Sequence, residues 1–149
     1  MIHPILRLSA LMILGGACAL ACSKAPATGS AATNEAKPTI PEVTVAQVAS
    51  YVKDKSATIF DANDADTRQK FGVVPGAVLL SGHKDYPLSE LPAAKATKLV
   101  FYCGGTQCRA SDAAASRAAT AGYSDVSVMR DGIRGWKTAG QPTSAAPQS

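Results

Sequence analysis

The sequence predicts an α/β fold in which a mainly parallel sheet is covered by helices on both faces. Three observations predict it. Short apolar runs alternate with polar or alanine-rich stretches of helical length, the pattern of strands joined by crossover helices. The most apolar run, Leu99-Val100-Phe101-Tyr102, has no polar alternation and reads as a buried strand. The segment that carries these signals, residues 42–142, has the size of one ordinary domain.

Taken in order, Val43-Thr44-Val45 is expected to be a short entry strand. Thr44 is also placed to cap a helix carrying Val45, Val48, Ala49 and Val52 at helical spacing. Ala57-Thr58-Ile59-Phe60-Asp61-Ala62 reads as a second, buried strand. Residues 64–71 are polar and suit a helix closed by Gly72. Val73-Val74-Pro75-Gly76 is a turn, and Ala77-Val78-Leu79-Leu80 a third strand. Residues 81–96 hold proline, glycine and charge and read as loop, with room for a short helix at 89–93. Leu99 to Tyr102 is the fourth strand. The alanine-rich run 110–121 is a helix ending at Gly122, with Ala110, Ala113, Ala114, Ala118 and Ala121 on or near one face. Asp125-Val126-Ser127-Val128-Met129 is the fifth strand, and 132–139 a last helix anchored by Trp136.

The two ends differ from this core. Residues 1–21 have a short basic start at Arg7 and an apolar run over 8–21. The run is short for a membrane span and reads as a secretory signal. Small residues precede Cys22 in Ala19-Leu20-Ala21-Cys22-Ser23, which resembles the cleavage box of bacterial lipoproteins, with Cys22 as the lipidated residue. Cys18 is a second candidate, and cleavage near Ala21 without lipidation the plain alternative. Residues 22–41 are rich in Ala, Thr, Ser, Pro and Lys and read as a flexible tether; 143–149 read as a disordered tail. The expected location is the periplasmic side of a bacterial membrane, lipid-anchored through Cys22, and Ser23 in place of aspartate favours outer-membrane sorting.

Composition narrows the function. The net charge of +4 is partly carried by the leader and tether, and no basic stripe is interleaved with aromatics, so no nucleic-acid partner is expected. Of four cysteines, two belong to the leader. Cys103 and Cys108 remain, with His83 the one histidine of the domain, so no metal is expected. His83 reads as a surface histidine, Arg117 as a solvated residue, and Arg130 with Asp131 as a surface pair.

The chemistry is concentrated in Cys103-Gly104-Gly105-Thr106-Gln107-Cys108-Arg109-Ala110-Ser111. Here a cysteine sits where a strand ends and a glycine-containing loop turns into a helix. Loop amides and free N–H groups of the helix converge there and favour negative charge. A thiol in such a place ionises more readily, because the thiolate is the stabilised form. Asp61 also falls at the carboxyl end of a strand, the side on which α/β sheets carry their sites, so it is expected near Cys103. Ser111 is placed to cap the helix or hold the loop.

Ordered motifs over nearly all of 42–142 resemble the rhodanese-like, or sulfurtransferase, domain family. They are Ile59-Phe60-Asp61 before a polar helix; Gly72-Val73-Val74-Pro75-Gly76-Ala77; Val100-Phe101-Tyr102-Cys103; Ala121-Gly122-Tyr123-Ser124-Asp125-Val126; and Asp131-Gly132-Ile133-Arg134-Gly135-Trp136. The resemblance implies a three-layer fold with a five-stranded parallel sheet, and Cys103 as nucleophile. Such a cysteine takes a sulfane sulfur from a small anion such as thiosulfate, holds it as a persulfide, and passes it to cyanide or a thiol. Gly104, Gly105, Thr106, Gln107, Cys108 and Arg109 would form the substrate cradle, supported by Asp61 and Ser111. The cycle is covalent and needs neither cofactor nor separate general base.

Three departures qualify the resemblance. The loop is longer than the ordinary one, which often has arginine fifth after the cysteine; here Cys108 is fifth and Arg109 sixth. Cys103-x5-Arg109 matches the family's oxyanion-handling relatives, phosphatases and arsenate reductases, in which the arginine clamps a tetrahedral anion. Tyr102 in place of histidine, and no acid in the loop, argue against that reading. Cys108 is either a small residue filling the helix start, the reading favoured for a tight anion loop, or the partner of Cys103 in a disulfide. Such a disulfide would be a resting or a resolving state, and would point to a thiol-redox or sulfur-carrier module rather than a turnover enzyme. Finally, the family's Asp-Val-Arg is Asp61-Ala62-Asn63 here, leaving Arg68 as the candidate replacement for a loop-tying arginine.

Overall fold

The structure is a computed structural model that describes residues 39–146. The leader, the lipidation candidate Cys22 and most of the tether lie outside the described residues. The elements are α1 (Val45–Asp54), β1 (Thr58–Asp61), α2 (Ala65–Phe71), β2 (Val78–Leu79), β3 (Leu99–Tyr102), α3 (Ala110–Thr120), β4 (Val126–Met129) and α4 (Gly132–Thr138), with one 3-10 turn at Leu88–Glu90. The strands form one parallel sheet in the order β2-β1-β3-β4.

Each helix starts and stops where local chemistry dictates. Thr44 caps α1 with a capping box: its hydroxyl accepts from the Gln47 amide, and the Gln47 side chain accepts from the Thr44 amide. Asp64 accepts from the Thr67 amide at the start of α2, and Gly72 closes that helix at φ +75°. The alanine-rich α3 stops just before Gly122, at φ +90°.

The sheet is covered on both faces, so β3 and β4 are buried at every position. Alternation divides their side chains between two cores. Leu99 and Phe101 join Phe60 and Val128 against Ala114, Ala115 and Ala118 of α3, where small side chains let the helix lie close. Val100 and Tyr102 join Met129 against Val45 and Val48 of α1 and Ile133 and Trp136 of α4. Phe60 and Phe101 stack across β1 and β3, with centroids 5.0 Å apart.

Among the described residues four strands are present where five were expected. The entry strand is reduced to a single parallel bridge, Glu42 to Val128. The Val43 amide donates to the Val128 carbonyl at 2.9 Å, and the Val128 amide to the Pro41 carbonyl at 3.0 Å. Proline has no N–H to extend the ladder, and Thr44 already commits the chain to α1. The third strand is shorter than expected, following the Pro75-Gly76 turn on the sheet edge. The expected limits of order also shift. Ile40 packs on the α3-side core, inside the span read as tether. Ser144, inside the span read as tail, pairs antiparallel with Val73, and the Trp136 indole donates to the Pro142 carbonyl at 2.7 Å.

Candidate active site

Cys103 follows directly on β3, and the end of that strand is locked from below. The Tyr102 hydroxyl donates to Asp61 Oδ2 at 2.5 Å and accepts from the Val74 amide at 3.0 Å. Burial, reinforced by the Asp61 charge, pushes the Tyr102 phenol far above its ordinary range, so it stays a donor. Asp61 is fully buried and also accepts from the Asn63 amide at 2.7 Å and from Arg68 Nε at 3.3 Å. Arg68 Nη2 donates to the carbonyls of Asp61 and Leu80, both at 2.9 Å. Asp61 therefore supports the site from beneath instead of facing the thiol. Arg68 ties the ends of β1 and β2 to each other, one layer below the loop it was expected to hold.

The loop is held from the side by the start of α4. The Ile133 amide donates to the Cys103 carbonyl at 2.8 Å, and the Arg134 amide to the Gly104 carbonyl at 3.3 Å. This close approach needs Gly132: at φ +60°, a Cβ there would collide with the Cys103 carbonyl oxygen and stand 2.5 Å from the Gly105 nitrogen. The Cys108 amide then donates to the Gly105 carbonyl at 2.9 Å, turning the chain back on itself. The amides of Gly104, Gly105, Thr106 and Gln107 donate to no acceptor among the described residues.

The turn brings residue 108 over residue 103. Cys103 and Cys108 are joined as a disulfide, with Cα atoms 6.3 Å apart. This corrects the reading of Cys108 as a small filler of the helix start; the tight loop favours the pairing it was expected to prevent. Cys103 is 1% exposed, whereas Cys108 is partly exposed. Ser111, also buried, holds its Oγ 3.3 Å from Cys103 Sγ and contributes to the site rather than to a helix cap.

Arg109 is the second correction. Its side chain is 75% exposed and pairs with Asp112 at 3.4 Å, on the side of α3 that faces Glu42 and Arg130. It does not line the cleft over the loop in this structure. That cleft, of about 600 Å³, is lined by Asn63, Thr67, Gly104 to Cys108 and Arg134. Arg134, its guanidinium over the Phe71 ring, lines this cleft together with the carboxylates Asp64 and Asp131, and sequence reasoning missed it. The usable signal was its place in α4, off the face that buries Ile133 and Trp136. His83 borders the cleft from an exposed loop.

The class is that of a parallel α/β sheet carrying a cysteine and a tight glycine-containing loop at the carboxyl end of a central strand. Comparison with known proteins gives the class its family. The family model of the Rhodanese-like domain matches residues 44–139. This chain belongs to the rhodanese-like domain family. No curated protein matches it. Among solved structures, a protein from Bacillus halodurans is 22% identical, with a TM-score of 0.61 over 70% of this chain and 77% of that one. A protein of unknown function from Rhodopseudomonas palustris, described as a possible tyrosine phosphatase, is 24% identical, with a TM-score of 0.59 over 70% and 85%. The thiosulfate sulfurtransferase of Pseudomonas aeruginosa is 23% identical, with a TM-score of 0.60 over 73% of this chain and 21% of that one. At these identities the likeness is one of fold.

Proposed function

We propose that the domain is a sulfurtransferase that works through a persulfide on Cys103, and that the disulfide is its oxidised resting form. One observation carries the reading: Cys103 Sγ lies beside Ser111 Oγ at the foot of a loop with four unpaired amides. After reduction, the thiolate attacks the outer sulfur of a donor such as thiosulfate, and sulfite leaves with the bonding electrons. The free amides and Arg134 fit the negative charge of donor and leaving group. A thiolate acceptor, or cyanide, then attacks the outer sulfur of the persulfide and restores Cys103. The outward direction of Arg109 argues against the oxyanion alternative.

The reading is tested by steady-state transfer from thiosulfate to cyanide with reductant present. Wild type should turn over and Cys103→Ser should not, while Arg109→Ala should retain activity. Loss of activity in Arg109→Ala at unchanged stability would favour oxyanion chemistry. We also propose export and lipid anchoring through Cys22, on the strength of the leader alone, which gives the site an oxidising compartment.

A further inference from the structure

We propose that Cys108 is a second catalytic residue, which discharges the Cys103 persulfide as hydrosulfide by closing the Cys103–Cys108 disulfide. The proposal rests on the sulfur-transfer reading and adds the fate of the sulfur. It makes the domain a dithiol-driven producer of sulfide rather than only a donor of sulfane sulfur.

Three features of the loop support it. The backbone is fixed at both ends of the pair: Cys103 through the Ile133 amide, Cys108 through the Gly105 carbonyl. The two Cα atoms are 6.3 Å apart, within the span a disulfide bridges without backbone movement. The closed state therefore needs no opening of the fold, and Cys108 stands in bonding reach of the sulfur that carries the persulfide. Second, the pair is asymmetric. Cys103 is buried beside Ser111, and Cys108 lines the cleft. In the closed disulfide Cys108 is the sulfur at the cleft, so an external thiolate meets it first, and access decides which sulfur is attacked. Third, the leaving sulfur in that exchange is Cys103, whose thiolate is received by the Ser111 hydroxyl and the start of α3.

The steps balance. The Cys108 thiolate attacks Cys103 Sγ; the bond between Sγ and the sulfane sulfur breaks; sulfide leaves with the electron pair and becomes hydrosulfide by taking a proton from water. The sulfane sulfur is reduced to sulfide, and two thiols are oxidised to the disulfide. A dithiol then reopens the site. One of its thiolates attacks Cys108 Sγ and expels Cys103; its second thiol attacks the mixed disulfide and frees Cys108. The sum is thiosulfate plus dithiol giving sulfite, hydrosulfide, a cyclic disulfide and one proton. A reaction that regenerates the dithiol must feed this site, and one that consumes sulfide or sulfite must follow it.

The test is a single turnover of the full chain with Cys18 and Cys22 replaced by serine, reduced, freed of reductant and given one equivalent of thiosulfate. Sulfite, sulfide and protein mass are measured together. The proposal expects a sulfite burst followed by one equivalent of sulfide, with the protein ending as the intramolecular disulfide. Cys108→Ser should still release sulfite, at whatever rate, which also shows that it folds, but should hold the extra sulfur until dithiothreitol is added. Sulfide release by Cys108→Ser at the wild-type rate, or a persulfide that persists in wild type beside a reduced Cys108, overturns the role of Cys108 and leaves sulfur transfer standing. No sulfite from either protein overturns sulfur transfer itself, and this proposal with it.

Discussion

Gly132 is the residue on which the loop geometry depends most directly. Any side chain at φ +60° is strained, and here the added carbon would also collide with the carbonyl of Cys103. Gly132→Ala is predicted to lower transfer activity by at least about tenfold, the equivalent of about 1.4 kcal/mol in the barrier. Steady-state rates alongside thermal melting would check it; wild-type activity in this variant would mean that the loop is not held by α4. Tyr102 lies one residue before the nucleophile. Tyr102→Phe strands the buried Val74 amide and removes a donor from buried Asp61, so it should cost about 1–3 kcal/mol by urea unfolding. Neither role was legible in the sequence, where Tyr102 read as the end of a buried strand. A hydroxyl partner 41 positions away is fixed by strand register, in which Tyr102 stands beside Asp61. The directions of Arg109 and Arg134 were hidden for a similar reason. Spacing assigns a residue to a loop or helix, but not the direction its side chain takes there.

At the scale of elements, most starts and stops were legible because they are local. Thr44, Gly72 and Gly122 each act within one turn of their own position. The entry strand was misjudged because pairing is not local: Pro41 and Thr44 together leave room for one bridge only. The start of α3 carries a further electrostatic device. Asp112 accepts from Arg130, which also pairs with Glu42, and so fastens α3 to the end of β4 and to the entering chain. The Arg130 hydrogen bond, with help from Arg109, holds the Asp112 carboxyl below its ordinary value of 3.8. A carboxyl depressed in the folded state contributes stability above that ordinary value and loses it as pH falls through the folded one. Wild type should therefore lose melting temperature on acidification below about pH 4, and Asp112→Asn should lose less of it over the same window. Equal acid sensitivity in the two proteins would remove this pair from the account.

For the whole molecule, the alternation of strand and helix was enough to foresee a parallel sheet covered on both faces. The site lies at the carboxyl ends of its strands, where that architecture leaves loops free to vary. The disulfide was legible only as an alternative, since two cysteines five positions apart meet or miss according to the loop between them. The leader proposal is checked in cells: Cys22→Ser should move the protein from the membrane fraction to the soluble periplasm, and a soluble wild type would contradict lipid anchoring. The central claim, that Cys103 carries sulfur, is tested most directly by the intact mass of the reduced protein after brief exposure to thiosulfate in Cys108→Ser, where the adduct cannot discharge onto a neighbour. The account predicts a gain of one sulfur atom that maps to Cys103 and is absent when Cys103 is serine. An unchanged mass in a folded, fully reduced protein would contradict it.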